Sequence, residues 1–206
     1  MIKVENIEVF NFEGAIRGLR NPMNSWNKSD SKWVEGEYKI GKNDLDLMQR
    51  LFKAGTEHRK YLRQIFVSMD ITAPLYFVSE LDTYKVGTTR NSCSFMHKGT
   101  AKPFEITDFS THDNKVSKTW ETVLDTLNQL REEYLDTKDN EIFQQIRCLL
   151  PSGYNQKFTL TMNYENVFSI IKQRTGHKLD EWNKFVKILK TLPYVQDIMG
   201  DKDESS

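Results

Sequence analysis

The sequence of 206 residues has no excess of either charge: Lys plus Arg and Asp plus Glu both number 29, so no global field gathers nucleic acid or an anionic membrane, and neither partner is expected. Any positive site must be local. The sequence also lacks a long apolar run, and the opening MIKVENIEVF alternates like a strand rather than showing a charged stretch followed by an apolar one. A cytoplasmic protein is therefore expected. Cysteine is scarce: Cys93 and Cys148 have no metal-ligand spacing, and reduced thiols are expected rather than a disulfide framework. His97, His112 and His177 lack metal spacing too, so no metal is assigned. There is no repeat, low-complexity tract or clear linker. The expected organisation is one domain over residues 1–195, followed by a flexible charged tail over 196–206.

What the chain does contain is a mixture of two periodicities. Ile2, Val4, Ile7 and Val9 alternate as a first strand, and the polar stretch GLRNPMNSWNKSDSKW that follows reads as a loop. Within it Arg17, Arg20, Asn24, Trp26 and Trp33 give a basic and aromatic mix, read as a pocket-lining loop because the chain carries no net charge. Leu45, Met48, Leu51 and Phe52 recur at helical spacing, and Ile65, Val67, Met69 and Ile71 alternate as a second strand. Pro74 suits the first position of a helix carrying Leu75, Val78 and Leu81, after which polar residues run to Lys98. Trp120 to Tyr134 marks the longest amphipathic helix, and Leu179 to Leu189 a C-terminal one. Without strict βαβ alternation, an α+β fold is expected over a doubly wound sheet.

The segment RCLLPSGYNQKFTLTMNYENVFSIIKQRTGHKLDE, Arg147 to Glu181, places arginines where packing alone calls for apolar residues. Asn163 is a good N-cap, and Val167, Ile170 and Ile171 mark a buried stripe that Arg174 continues. Arg147 closes the apolar run Ile142, Ile146, Leu149, Leu150 just before Pro151. Between them Phe158, Leu160 and Met162 alternate as a half-buried strand. A buried guanidinium needs a counter-charge, so each arginine is expected to meet either an internal carboxylate or a bound anion such as a phosphate.

With these elements in order, the chain resembles the flavin-dependent thymidylate synthases over residues 1 to about 185. The features that carry the resemblance are Arg147, Leu150-Pro151, Gly153-Tyr154, the strand KFTLTM, Asn163 and Arg174, together with the upstream run NDLDLMQRLFKAGTEHRKYLRQIFVSMDITAPLYFVSEL. The resemblance implies an antiparallel-rich central sheet with flanking helices, a homotetramer, and a deoxyuridylate-like (dUMP-like) pyrimidine nucleotide held by Arg147 and Arg174. It further implies FAD as cofactor beside His58, Tyr84 and Asn163, and methylenetetrahydrofolate as one-carbon donor. The family signature, Arg-His-Arg followed after seven residues by Ser, is replaced by Thr83-Tyr84-Lys85, VGTTRNS and Cys93; Asn91 and Phe95 stand where an acidic residue and an arginine are expected, and Arg63 and Gln64 where Glu and His are. Lys85, Thr88, Thr89 and Arg90 are left as further candidate phosphate contacts in a polar loop.

Two functions remain open at this level. One is transfer of a one-carbon unit to the pyrimidine base. The other is nucleotide binding, sensing or sequestration without catalysis. His58, just after Gly55-Thr56-Glu57, also suits a helix C-terminal dipole, and Cys148 is expected in the core.

Overall fold

A computed structural model of the protein describes residues 1–111 and 117–200, with nothing described of the side chains of His97 and Ser117. His112 and the end of the expected tail, 201–206, lie outside the described residues. The elements in chain order are β1 (Lys3–Phe10), α1 (Phe12–Arg20), β2 (Lys32–Val34), β3 (Glu37–Lys39), α2 (Lys42–Ala54), β4 (Phe66–Pro74), α3 (Leu75–Leu81), β5 (Thr88–Ser92), α4 (Phe95–Lys98), α5 (Ser117–Thr137), α6 (Asn140–Leu149), β6 (Asn155–Asn163), α7 (Tyr164–Arg174), α8 (Asp180–Lys190) and α9 (Val195–Met199). The fold is α+β, an antiparallel sheet with flanking helices, with strand order β1-β4-β6-β5 and a separate antiparallel hairpin of β2 and β3.

The period of two reads out directly in β4. Val67, Met69, Ile71 and Ala73 are buried, and the residues between them are half-exposed. On that other face Ser68 meets Thr161 and Asp70 meets Thr159 through hydroxyl hydrogen bonds of 3.2 and 2.7 Å, cross-strand pairs that tie β4 to β6.

The chain divides into two compact units: one of Met1–Val4, Asp70–Thr83 and Arg90–Thr159, the other of Glu5–Met69, Tyr84–Thr89 and Leu160–Ser206. In the first, α5 packs along α6 around Phe95, Phe104, Phe109, Leu127, Phe143 and Ile146, and Asp139 caps α6 by accepting from the Glu141 N–H. In the second, α7 packs on α8 and α2 on α9, burying Val167, Ile170, Trp182, Phe185 and Leu189. Among the described residues no helix is long and apolar enough to cross a membrane.

Three segments differ from the sequence-based expectation. The loop read from Gly18 onward begins inside α1, where Phe12, Ala15, Ile16 and Leu19 are buried at helical spacing. The polar stretch after α3 contains β5, a sheet edge strand. Residues 195–199 form α9 with Val195 and Ile198 fully buried, so that part of the expected tail is packed core.

The second unit also holds a buried ion pair. Arg20 donates to Asp44 Oδ1 through Nε at 2.8 Å, its Nη2 lies 2.7 Å from the same oxygen as an ion-pair contact, and Asp44 further accepts from the hydroxyls of Ser29 and Ser31 and the N–H groups of Asp30 and Ser31. One carboxylate thereby fastens the residues between α1 and the hairpin.

Candidate functional site

Arg174 closes α7 in the second unit, at the end of the stripe Val167, Ile170, Ile171. Its stem follows that stripe as the spacing predicts. Its head is received by aromatic rings: the guanidinium carbon sits 4.5 Å from the Trp182 centroid and 5.5 Å from that of Tyr84. Nε donates to the Tyr84 hydroxyl at 2.9 Å, and Nη1 lies 3.1 Å from His177 Nε2. The Tyr84 hydroxyl in turn donates a hydrogen bond to Gln173 Oε1 at 3.3 Å. Cation–π contacts of this kind are worth roughly 0.5–2 kcal/mol each, depending on how far the pair is desolvated. Trp182 is fully buried and so gives the cation a fixed platform. Sequence patterning places Trp182 only in an apolar face and leaves His177 aside; the i to i+3 spacing from Arg174 to His177 is the one signal that links them.

A second cluster gathers at the start of α7. Asn163 is buried and caps the helix, its Oδ1 accepting from the Asn166 N–H at 3.1 Å. Asn166 in turn donates from Nδ2 to the Val86 carbonyl at 2.8 Å and to Thr88 Oγ1 at 2.7 Å, which holds the turn between Tyr84 and β5. Gly87 makes that approach possible: its φ is +77°, and a Cβ there would overlap the Asn163 amide. Lys85 and Thr89 are exposed in this turn, and Lys85 makes no side-chain hydrogen bond or ion pair among the described residues. The fold therefore brings Tyr84 to Arg174 in one hydrogen-bonded cluster and Thr88, through Asn166, to Asn163 in another.

Alongside α7 runs a cleft of about 590 Å³ walled by Phe52, Phe168, Ser169 and Gln173. Arg59 and Glu165 line it too, as a bidentate pair with Nη2 to Oε1 at 2.6 Å, and the Arg59 guanidinium lies 5.1 Å from the Phe52 centroid. No spacing in the sequence signals this pair. His58 next to it is exposed, and α2 has already ended at Ala54. Its position is thus a surface turn past the helix end rather than the C-terminal cap expected from the dipole.

In the first unit the other arginines separate in character. Arg90 is half-buried and answered by an internal carboxylate, Asp82, at 3.2 and 3.1 Å, with Ser92 and Gln156 beside it and the Phe158 ring 5.5 Å away. Arg147 is exposed, not inward-facing. The buried face of α6 is Ile142, Phe143 and Ile146, so Arg147 lies at the stripe's edge, four residues past Phe143, and Leu149 is exposed as well. Its guanidinium rests 4.9 Å from the Phe95 centroid and makes no hydrogen bond or ion pair among the described residues. Cys93 and Cys148 are free and exposed, which corrects the expectation of a core Cys148.

Comparison with known proteins bears on this arrangement. No curated protein matches the chain. Among solved structures, the flavin-dependent thymidylate synthase ThyX of Helicobacter pylori, complexed with FAD and dUMP, is similar with a TM-score of 0.72 and 17% identity, over 96% of this chain and 97% of that one. The UMP/dUMP methylase PolB of Streptomyces cacaoi, bound with 5-Br UMP, is similar with a TM-score of 0.62 and 14% identity, over 93% of this chain and 88% of that one. At such identities these likenesses establish the fold. The family model for thymidylate synthase complementing protein matches residues 18–187, which is most of the sequence, and so this chain belongs to the thymidylate synthase complementing protein family.

Proposed function

We propose that this chain binds a pyrimidine deoxynucleotide of the dUMP type, with Arg147 as its principal anion contact; Lys85, which makes no side-chain hydrogen bond or ion pair among the described residues, is the alternative contact. The observation that carries this reading is Arg147: an exposed guanidinium steadied on the Phe95 ring, with its donors unclaimed among the described residues, has the fork geometry a phosphate or carboxylate needs. The ligands named for the ThyX and PolB structures, dUMP and 5-Br UMP, point to the same chemical class. Thermal melting with and without dUMP tests the proposal. A rise in Tm is expected, and Arg147→Ala should remove it without unfolding the chain, since that side chain is exposed; no shift in the unsubstituted protein would end the proposal.

The residues carried over for FAD fit it less well than Arg147 fits an anion. Tyr84 already carries Arg174 and lies 5.9 Å from Trp182, and Asn163 commits its amide to the α7 cap and the Gly87 turn. Of the three, His58 alone stands open on the surface. They do not form a flavin-binding face by themselves, and no redox step follows from them. That geometry, with Thr83-Tyr84-Lys85 in place of the signature, favours a second reading in which the protein senses or sequesters a nucleotide without catalysis. Transfer of a one-carbon unit from methylenetetrahydrofolate, with FAD bound and the chain a homotetramer, is the alternative. A visible absorption spectrum and light scattering separate the two: a colourless protein that takes up no added flavin supports the binder, whereas a yellow tetramer supports the enzyme.

A further inference from the structure

A cavity of about 810 Å³ in the second unit has no part in the proposed nucleotide site. It lies within the range of about 300–1,000 Å³ usual for small-molecule sites. Five of its lining residues are aromatic: Phe10, Phe12, Trp33, Tyr38 and Tyr194. Phe12 meets Tyr194 edge to face at 5.3 Å, and Trp33 meets Tyr38 at 5.5 Å, so the rings stand in two fixed pairs. Trp33 is nonetheless 60% exposed, an unusual amount of the largest aromatic side chain to leave in water.

The hairpin that carries Trp33 and Tyr38 has strands of three residues each, too short to hold themselves in water. It is fixed from both ends. Ser31, at its entry, is bonded to the buried Asp44, and Ile40, at its exit, donates its N–H to the Tyr194 hydroxyl at 3.1 Å. The indole N–H of Trp33 donates to Glu13 at 3.2 Å. A buried ion pair thus serves to position an otherwise exposed aromatic wall.

The charge on the lining selects a ligand class. Three carboxylates, Glu13, Glu37 and Asp197, face two cations, Arg17 and Lys39, leaving one negative charge in excess. Glu13 pairs with Arg17 and Glu37 with Lys39. Asp197 makes no side-chain hydrogen bond or ion pair among the described residues. Aromatic faces attract cations through their quadrupoles, and an uncompensated carboxylate adds to that and repels phosphate. We propose that this cavity binds an organic cation with an apolar or aromatic body, its charge directed to Asp197 and the ring faces. The site is separate from the residues proposed for the nucleotide and does not depend on that reading.

Benzyltrimethylammonium and benzenesulfonate, two probes with the same ring and opposite charge, test this. Each is titrated into the full-length protein at fixed ionic strength, followed by calorimetry and tryptophan fluorescence. Saturable binding of the cation alone is expected, weakened about tenfold by Trp33→Ala, as loss of a cation–π platform implies, and severalfold by Asp197→Asn. Both side chains are exposed, and far-UV circular dichroism checks that each variant is folded. No saturable binding of the cation, equal binding of the sulfonate, or unchanged affinity in both folded variants would overturn the proposal. Because dUMP melting is a separate assay, failure here and failure of the nucleotide reading are told apart.

Discussion

Replacing Asp44 with Asn isolates what the buried pair contributes. Asp44 is fully buried and the Arg20 side chain is 6% exposed, so the substitution leaves a guanidinium in the interior without its counter-charge. The amide cannot repair the network in either orientation. Oδ1 faces Arg20, and Oδ2 faces two hydroxyls and two N–H groups, so an NH2 at the first position meets a guanidinium and at the second meets the Ser29, Asp30 and Ser31 donors. Breaking one partner of a buried pair costs about 3–5 kcal/mol, which at roughly 2–4 °C per kcal/mol lowers Tm by about 6–20 °C. Urea denaturation measures the loss, with the slope unchanged if the native state keeps its compactness. The double substitution Arg20→Met with Asp44→Leu should recover most of it, because no charge is then stranded. A loss under about 1 kcal/mol for Asp44→Asn would refute the buried-charge account. A double variant as unstable as the single would mean that the hydrogen bonds, not the charge, hold the segment.

The same pair sets an acid limit: burial pushes the Asp44 carboxyl up, but the bonds from Ser31, Ser29 and Arg20 outweigh it and hold it below its ordinary value. A depressed folded value gives stability that is present above the unfolded Asp value of about 4 and lost as pH falls through the folded one, so wild-type stability should drop on that acid limb and Asp44→Asn should show a shallower drop. At the alkaline end, burial pushes the phenols of Tyr61 and Tyr164 well up; stability present below the unfolded tyrosine value of about 10 is lost above it, and ultraviolet titration should show these two ionising only as the chain unfolds. Gly87→Ala should cost about 1–3 kcal/mol, from the positive φ and the overlap with Asn163, and a neutral result by denaturation would show that the turn is not held as described. Glu165→Gln should weaken folding by about 1 kcal/mol, because Arg59 and Glu165 are partly exposed at 22% and 16%, and should leave the Arg147-dependent dUMP shift intact.

Legibility in the sequence depends on which interaction decides each residue's place. Period-2 alternation places β4 and β6, and helical spacing places α5, α7 and α8, because burial of one face is a local property of the sequence. The strand β5 escapes pattern reading because TTRNS has no apolar alternation; its strand character comes from lying next to β6 at the sheet edge. The helix α1 carries its stripe in plain view, but Gly14 and Gly18 interrupt it and the following Asn and Ser residues read as loop.

The two central arginines show where pattern reading stops. The stripe predicts the direction of the Arg174 stem, and the stem lies there, but its aromatic platform comes from Tyr84, ninety positions away in sequence, and from Trp182 in the next helix. No spacing rule links those residues. For Arg147 the run Ile142, Ile146, Leu149, Leu150 reads as one face, although Phe143 shifts that face by a position and turns Arg147 and Leu149 outward. That shift makes Arg147 the more informative of the two. A stripe-facing arginine satisfied by rings is accounted for by packing, whereas an arginine at the stripe edge, steadied on one ring and holding its donors outward, is not. Arg174→Ala therefore confounds stability with binding. Arg147→Ala separates them: loss of the dUMP shift with an unchanged Tm assigns the anion to the first unit, and a retained shift would move the assignment to Lys85 and the turn before β5.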